Sequence, residues 1–411
     1  MIQTLHGFRS SFTTLLLTAA GCVTAAGRSS DSATSAARPA TPPDAALGSE
    51  VQDTVRAVLD RALTDSAFPG AFAIVGRSTG VLARYGVGSL DVTASPRPDE
   101  NTLWDMASLT KVVAMTSALM QLVDQGKVDL DAPVRHYVSE FTGPDKERVT
   151  VRHLLTHSSG LPAWRPLYKE TYTPEEARAL AIATPLDTLP GIRMAYSDLG
   201  AIILGQIVER VSGEPLDDYV LRHVFGPLGM TSTRYRPPAE LFSRIAPTEF
   251  DPWRQRKLRG EVHDENAFRL GGVSGHAGLF STGRDAARFA RMYLGGGVLD
   301  GRRIVSAERI RQFTTVQDSA LSHRALGWET PNGSNSAGRL MKRPAFGHTG
   351  FTGTSMWMDP SRDLFVILLT NRVNPTRQNL RIGGVRVALA DAVVRVIDRS
   401  ASPSPPAPSP R

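Results

Sequence analysis

The stretch TSMWMDPSRDLFVILLTN, residues 354–371, reads as two strands joined by a turn at Pro360-Ser361-Arg362-Asp363. Proline presets the first torsion of such a turn, and the flanking runs are apolar. Near the other end, GAFAIVGRSTGVLARYGVG, residues 70–88, holds two short apolar runs around Ser78-Thr79-Gly80, a second hairpin. Between the hairpins the chain is mostly helical with long loops. Strands at both ends and helices between predict one antiparallel sheet built from both chain ends. Helices would flank it and a mostly helical region would be inserted, an α+β fold of the α/β sandwich type.

Two helices complete that frame. EVQDTVRAVLDRAL, residues 50–63, carries Val51, Val55, Val58, Leu59 and Leu63 on one face. Residues 380–397 form a final amphipathic helix, weakened near its start by Gly383-Gly384. No internal repeat is visible. The folded region is expected over residues 50–398.

The 411 residues allow one large domain or two modest ones, and 41% hydrophobic with 21% charged residues is a globular balance. The net charge of +7 is scattered, with no dense basic block, which argues against nucleic-acid binding. Anionic cell-wall material suits such a charge equally well.

The single cysteine, Cys22, excludes an intrachain disulfide and a cysteine-based zinc site. It ends MIQTLHGFRSSFTTLLLTAAGC, where His6 and Arg9 precede a short apolar core over residues 12–20. That core is too short for a permanent membrane span and reads as a signal peptide over residues 1–26. AAGC resembles a bacterial lipoprotein cleavage box, making Cys22 the lipidated residue. Ordinary cleavage near Ala25 or Ala26 is the alternative. Either predicts export. Residues 27–49 read as a flexible linker and 399–411 as a disordered Pro/Ser-rich tail.

Candidate chemistry begins at SLTK, residues 108–111. In a helix, Ser108 and Lys111 share a face. Ser108 would sit near the helix N-terminus, where free N–H groups favour negative charge. A lysine beside a serine can take its proton or stabilise the alkoxide, and partial burial lowers a lysine pKa. On its own, SLTK reads better as a helix cap and a solvated lysine. Two further stretches reverse that. PGIRMAYSDLGAIILGQIVERVSG places Tyr196, Ser197 and Asp198 before an apolar helix, and AFGHTGFTGTSMWM places His348-Thr349-Gly350 on a short strand.

In this order and spacing, the three stretches resemble the S-x-x-K, Y-x-N and K-T-G elements of serine β-lactamases and penicillin-binding proteins. The match is closest to the class C β-lactamase-like branch, which includes D-alanyl-D-alanine carboxypeptidases, D-aminopeptidases and esterases. HLLTHSSGLP at 153–162, GHAGLFSTGRDAARFA at 275–290 and FVILLTNRVNP at 365–375 are similar to that family too. The resemblance covers about residues 51–397. It implies that Ser108 is the acyl-accepting nucleophile and that Lys111 stabilises its alkoxide or takes its proton. Tyr196 would be general base and pass a proton to the leaving group. The backbone N–H groups of Ser108 and Phe351 would form the oxyanion hole. Asp198, His348, Thr349 and Gly350 would bind substrate. No metal or organic cofactor is implied.

Two departures bear on substrate. Asp198 stands where the family has asparagine, and an ionised carboxylate cannot donate to a substrate carbonyl. It could instead pair with Lys111 or with a cationic substrate group. His348 replaces a lysine, giving up a fixed charge for a substrate carboxylate. Both favour a peptidase, amidase or esterase over an efficient β-lactamase.

RGEVHDENAFRLGGVSGHAGLF, residues 259–280, gathers His263, Asp264, Glu265, Asn266 and His276, without a zinc-site spacing. Local hydrogen bonding or pocket lining is the expectation. The basic DPWRQRKLRG before it reads as a solvated loop. His157 reads as structural, with a Ser-His-Asp triad on Ser158 or Ser281 as the runner-up mechanism.

The sequence therefore predicts an exported serine hydrolase of the periplasm or cell envelope, working through an acyl-enzyme on Ser108. D-alanyl peptides or muropeptides are the expected substrates, in the manner of a carboxypeptidase or amidase. Esters and β-lactams are alternatives, and a non-catalytic peptidoglycan- or penicillin-binding sensor is the reading from another class. The expected partners are the small substrate and peptidoglycan fragments. A membrane would be touched only through the lipid anchor, and the chain would be a monomer.

Overall fold

Alternation along the first strand sets up the layers. In β1 (Gly70–Arg77), Ala71, Ala73 and Val75 bury toward one side, and Phe72 and Ile74 toward the other. A strand buried on both faces needs a layer on each. β1 pairs with β2 (Gly80–Gly88) through the Ser78-Thr79 turn, and on its other edge with the C-terminal strand β5 (Leu364–Thr370), Ile74 opposite Ile367. β5 pairs with β4 (Ser355–Asp359) and β4 with β3 (Phe346–Thr349), so the order is β3-β4-β5-β1-β2, antiparallel throughout.

The computed structural model describes residues 43–93 and 95–401. One face of the sheet is covered by the terminal helices α1 (Pro43–Thr64) and α5 (Ile382–Ala401). Val51, Val55 and Leu59 of α1 and Leu389, Val393 and Val394 of α5 meet Ala73, Val75, Val366 and Leu368 there. The other face packs on α4 (Gly283–Leu294) and the inserted region, through Phe72, Ile74, Phe365, Ile367 and Leu369. The inserted region is built around α2 (Ser117–Asp124) and α3 (Asp198–Ser212), which pack on each other. A small sheet orders Trp104–Asp105, Leu279–Ser281 and Arg234–Tyr235 around a central Leu279–Ser281. The α+β expectation, with a sheet drawn from both chain ends, describes this architecture.

Two boundaries differ from expectation. α1 begins at Pro43 rather than at residue 50, and Leu47 in its extra turns is buried against the terminal-helix core. Ala, Pro and Gly in that stretch looked like linker, but tertiary packing overrides weak propensity. α5 starts at Ile382 and reaches Ala401, past the expected end at 397 and the expected tail start at 399. Its internal glycines are accommodated because the rest of the helix is anchored on the sheet. The signal-peptide segment, Cys22, linker residues 27–42 and tail residues 402–411 lie outside the described residues. None of the described helices is long and apolar enough to cross a membrane.

Candidate active site

The turn that presents Ser108 is held from several directions. Asp105, fully buried, accepts the N–H groups of Ala107 (2.8 Å) and His263 (2.6 Å). Burial pushes its pKa up against those two donors. Ala107 takes a left-handed conformation with φ 45°, unusual for a residue with a side chain, and such strain persists only where surroundings enforce it. Thr352 and Thr354 supply that enforcement, donating to the carbonyls of Asp105 (2.7 Å) and Met106 (3.2 Å). Gly350 lies so close that a Cβ would stand 2.5 Å from the Met106 carbonyl oxygen. The third motif and the nucleophile turn are therefore packed backbone to backbone.

The chain then enters a π-helical segment, Lys111–Thr116, which continues as α2. The expected α-helix is thus widened at its start, a form of helix enriched at functional sites. Lys111 is buried, and its ammonium meets Ser108 Oγ at 3.0 Å, the His276 carbonyl at 3.1 Å and Asp198 Oδ1 at 2.7 Å. The first two contacts are hydrogen bonds, whereas the Asp198 contact is a close ion pair without hydrogen-bond geometry. Burial opposes the charge, but the Asp198 carboxylate and then Tyr196 outweigh it and raise the Lys111 pKa above its ordinary value. The expectation that burial would lower it is corrected by that carboxylate. Asp198, first residue of α3, takes the Lys111 pairing rather than standing free for a cationic group.

Tyr196 stands over this pair. Lys111 Nζ lies 4.9 Å from its ring centroid, and Arg324 Cζ 5.1 Å. His157 packs on it at 4.5 Å and His348 at 5.8 Å between centroids. The Tyr196 hydroxyl is buried without a well-formed hydrogen bond, as are His348 Nε2 and Arg324 Nη1. His157 accepts the Ser197 N–H on Nδ1, 3.1 Å. His348 donates from Nδ1 to the Thr349 carbonyl, 2.8 Å, which leaves Nε2 as an acceptor. Burial, then the charges of Arg324 and Lys111, push both histidines well below the usual imidazole range, so both are neutral. Arg324, buried and paired with Glu329 at 2.8 Å, thus brings a fixed cation to the strand that lacks its lysine. Sequence reasoning missed it. The short bridges Arg324–Glu329 and Glu329–Gly347 beside β3 carry it there, and nothing in its local sequence marks it.

Thr349 ends β3 opposite Ser355, and Phe351 follows Gly350 on the adjoining turn. Among the described residues, neither the Ser108 nor the Phe351 N–H donates to another backbone carbonyl. Phe351 is half exposed, its ring between His263 (5.6 Å, stacked) and the Arg372 guanidinium (4.5 Å). Its carbonyl accepts from Arg372 Nε at 2.9 Å. From α5, Arg386 donates to the carbonyls of Gly350 and Thr354, both at 2.7 Å.

The polar loop works locally. His263 pairs with Glu249 (2.7 Å), and His276 lies between Asp264 and Ser274 (2.8 Å each). Among the described residues no cluster of three or more histidine, cysteine or acidic side chains is disposed to hold a metal. The basic loop is less solvated than expected, because Arg254 is buried on Asp251 and on the carbonyls of Val262 and His263. The triad alternative fails on geometry. Ser158 pairs with Thr156 and Ser281 with Thr233, each at 2.8 Å, and His157 is spent on Ser197.

Known proteins share this architecture. The Beta-lactamase family model matches residues 55–390. A protein named as a D-alanyl-D-alanine carboxypeptidase in Escherichia coli O157:H7 is 33% identical over 75% of this chain and 79% of its own. A Bacillus subtilis (strain 168) protein named N-acetylmuramyl-L-alanine amidase is 34% identical over 75% and 78%. The octameric penicillin-binding protein homologue from Pyrococcus abyssi superimposes with a TM-score of 0.64 and 25% identity, covering 82% of this chain and 76% of that one.

Proposed function

This chain belongs to the Beta-lactamase family and is a serine hydrolase, and we propose that it forms an acyl-enzyme on Ser108 with D-alanyl peptides or muropeptides of the cell wall. The observation that carries this reading is the 3.0 Å hydrogen bond between Lys111 Nζ and Ser108 Oγ, with the ammonium also bonded to the His276 carbonyl and ion-paired with Asp198. A lysine so engaged stays cationic. It serves by stabilising the Ser108 alkoxide, and the proton passes to Tyr196 reacting as its phenolate. Ser108 Oγ attacks the acyl carbon, and the oxyanion settles on the N–H groups of Ser108 and Phe351. Tyr196 returns the proton to the leaving amine as the C–N bond breaks, and water then releases the acyl group from Ser108.

The names of the two relatives support a cell-wall substrate. So does Arg324, whose buried Nη1 lacks a partner near His348. A substrate carboxylate would satisfy it, with the Thr349 hydroxyl alongside. Esters and β-lactams remain substrates of the same chemistry, lacking only that anchor or its geometry. Export to the periplasm or envelope belongs to the same proposal, with Cys22 as lipidation site. We also keep the monomer, against the octamer of the Pyrococcus abyssi homologue, as a matter for sedimentation velocity.

The test is a substrate panel on the purified protein: a D-alanyl-D-alanine pentapeptide, p-nitrophenyl esters and a fluorescent penicillin. Release of D-alanine, abolished in Ser108→Ala, is the expected result. Turnover of esters alone would remove the peptidase reading. Binding of penicillin or peptide with no acylation at all would leave the sensor.

A further inference from the structure

Four aromatic rings stand in successive contact near the second motif. Centroids are 6.4 Å apart from Trp164 to Tyr168, 4.8 Å from Tyr168 to Trp253 and 5.8 Å from Trp253 to Phe268. Of the five tryptophans, Trp104, Trp328 and Trp357 are buried, whereas Trp164 is 48% exposed and Trp253 37%. The two open indoles are thus both in this row. One end touches the second motif, because the Ala163 carbonyl beside Trp164 accepts the Asp198 N–H at 2.9 Å. Trp253 leads toward the residue after the third motif, because the neighbouring Arg254 donates to the His263 carbonyl at 2.7 Å and the His263 ring stacks on Phe351.

The row is set in advance. Arg269 lies 5.4 Å from the Trp253 ring centroid and donates to the carbonyls of Tyr168 (3.2 Å) and Tyr172 (2.6 Å). Asn266 bridges the Arg165 carbonyl and the Tyr168 N–H. Rings already immobilised lose little entropy when a ligand lands on them.

We propose that this row is a sugar subsite, at which the N-acetylated pyranose rings of a glycan-linked peptide stack on Trp164 and Trp253. It rests on the acyl-enzyme reading above, since the peptide at Ser108 is what brings the glycan to this rim. The occupant follows from the surface. A fatty chain favours an enclosed apolar groove, whereas these indoles are partly exposed and stand among cations, Lys169 at 5.6 Å from the Tyr168 centroid and Arg269 at 5.4 Å from that of Trp253. A pyranose matches both features, with a C–H face for the indole and acetamido and hydroxyl oxygens for nearby donors.

Calorimetry on the whole protein tests this with three ligands: the disaccharide N-acetylglucosaminyl-N-acetylmuramic acid, a disaccharide-pentapeptide and the free pentapeptide. The peptides are measured in Ser108→Ala, so that neither is consumed. The disaccharide alone should bind saturably, and the disaccharide-pentapeptide about tenfold more tightly than the free peptide. Trp164→Ala and Trp253→Ala should each erase most of that advantage while leaving the free peptide within about twofold, and Trp164→Phe should retain it. Equal affinity for the two peptides, equal loss for both in the tryptophan variants, or no binding by any ligand overturns the subsite. Disaccharide binding does not require Ser108. Acylation of Ser108 without disaccharide binding therefore removes the subsite alone, and the reverse removes the acyl-enzyme reading alone.

Discussion

At Lys111 the decisive feature is the Asp198 carboxylate that faces it. Asp198 Oδ1 lies 2.7 Å from the ammonium, beside the hydrogen bonds to Ser108 and His276, so loss of the proton would leave that carboxylate without its counter-charge. Lys111→Ala should slow acylation on the order of 10²–10³-fold, the loss seen when one donor to a developing oxyanion is removed. Stopped-flow acylation by penicillin measures it. Arg324→Gln should weaken peptides ending in a free carboxylate by about tenfold or more in kcat/KM and spare neutral esters, if Arg324 is the substrate's anchor. Parallel rates on a peptide acid and its amide would show this. The two buried histidines set a pH dependence of stability. Both have pKa values depressed below the ordinary 6.5, so their contribution is present above that value and lost as pH falls through their folded pKa. The urea midpoint should therefore decline below about pH 6.5, and decline less steeply in His348→Gln.

Among the elements, the contact that matters most joins the end of β3 to the nucleophile turn. Gly350→Ala would place a methyl group 2.2 Å from Thr354 Oγ1 and 2.5 Å from the Met106 carbonyl oxygen. The two backbones must separate, at about 1–3 kcal/mol of stability, and the Phe351 N–H moves with them. Acylation should fall while the protein stays folded, a result read from thermal melts run beside the rate measurement. Much of this was legible in the sequence: the two hairpins by their apolar runs and turns, the three motifs by order and spacing. The widened helix at Lys111–Thr116 was not legible, because SLTKVVAM suits an ordinary helix and only tertiary packing selects the wider turn. Nor was the charge of Lys111, which depends on Asp198 arriving from another helix.

Across the whole molecule, the two chain ends do more than cover the sheet. Arg386, on the C-terminal helix, donates to the carbonyls of Gly350, Gly353 and Thr354 and so holds the third-motif turn from behind. Burial lowers its pKa to about 10, still charged at neutral pH. Arg386→Ala should cost about 1–3 kcal/mol by leaving those acceptors unsatisfied, and should also reduce acylation, which a remote surface substitution would not. Differential scanning calorimetry and acylation rates on one preparation check both. The role of Arg386 was invisible in the sequence because its partners lie more than thirty residues earlier on the other side of the sheet's turn. Arg324 was missed for a related reason. Its neighbours Tyr196 and His348 are gathered by the fold, not by any motif.

Ser108, beside a Lys111 that Asp198 holds cationic, is the residue expected to become acylated. Intact-mass measurement after reaction with penicillin, followed by peptide mapping, tests it most directly. One adduct is expected, on the peptide containing Ser108, absent in Ser108→Ala and formed far more slowly in Lys111→Ala. An adduct that survives Ser108→Ala, or that forms as fast without Lys111, would contradict it.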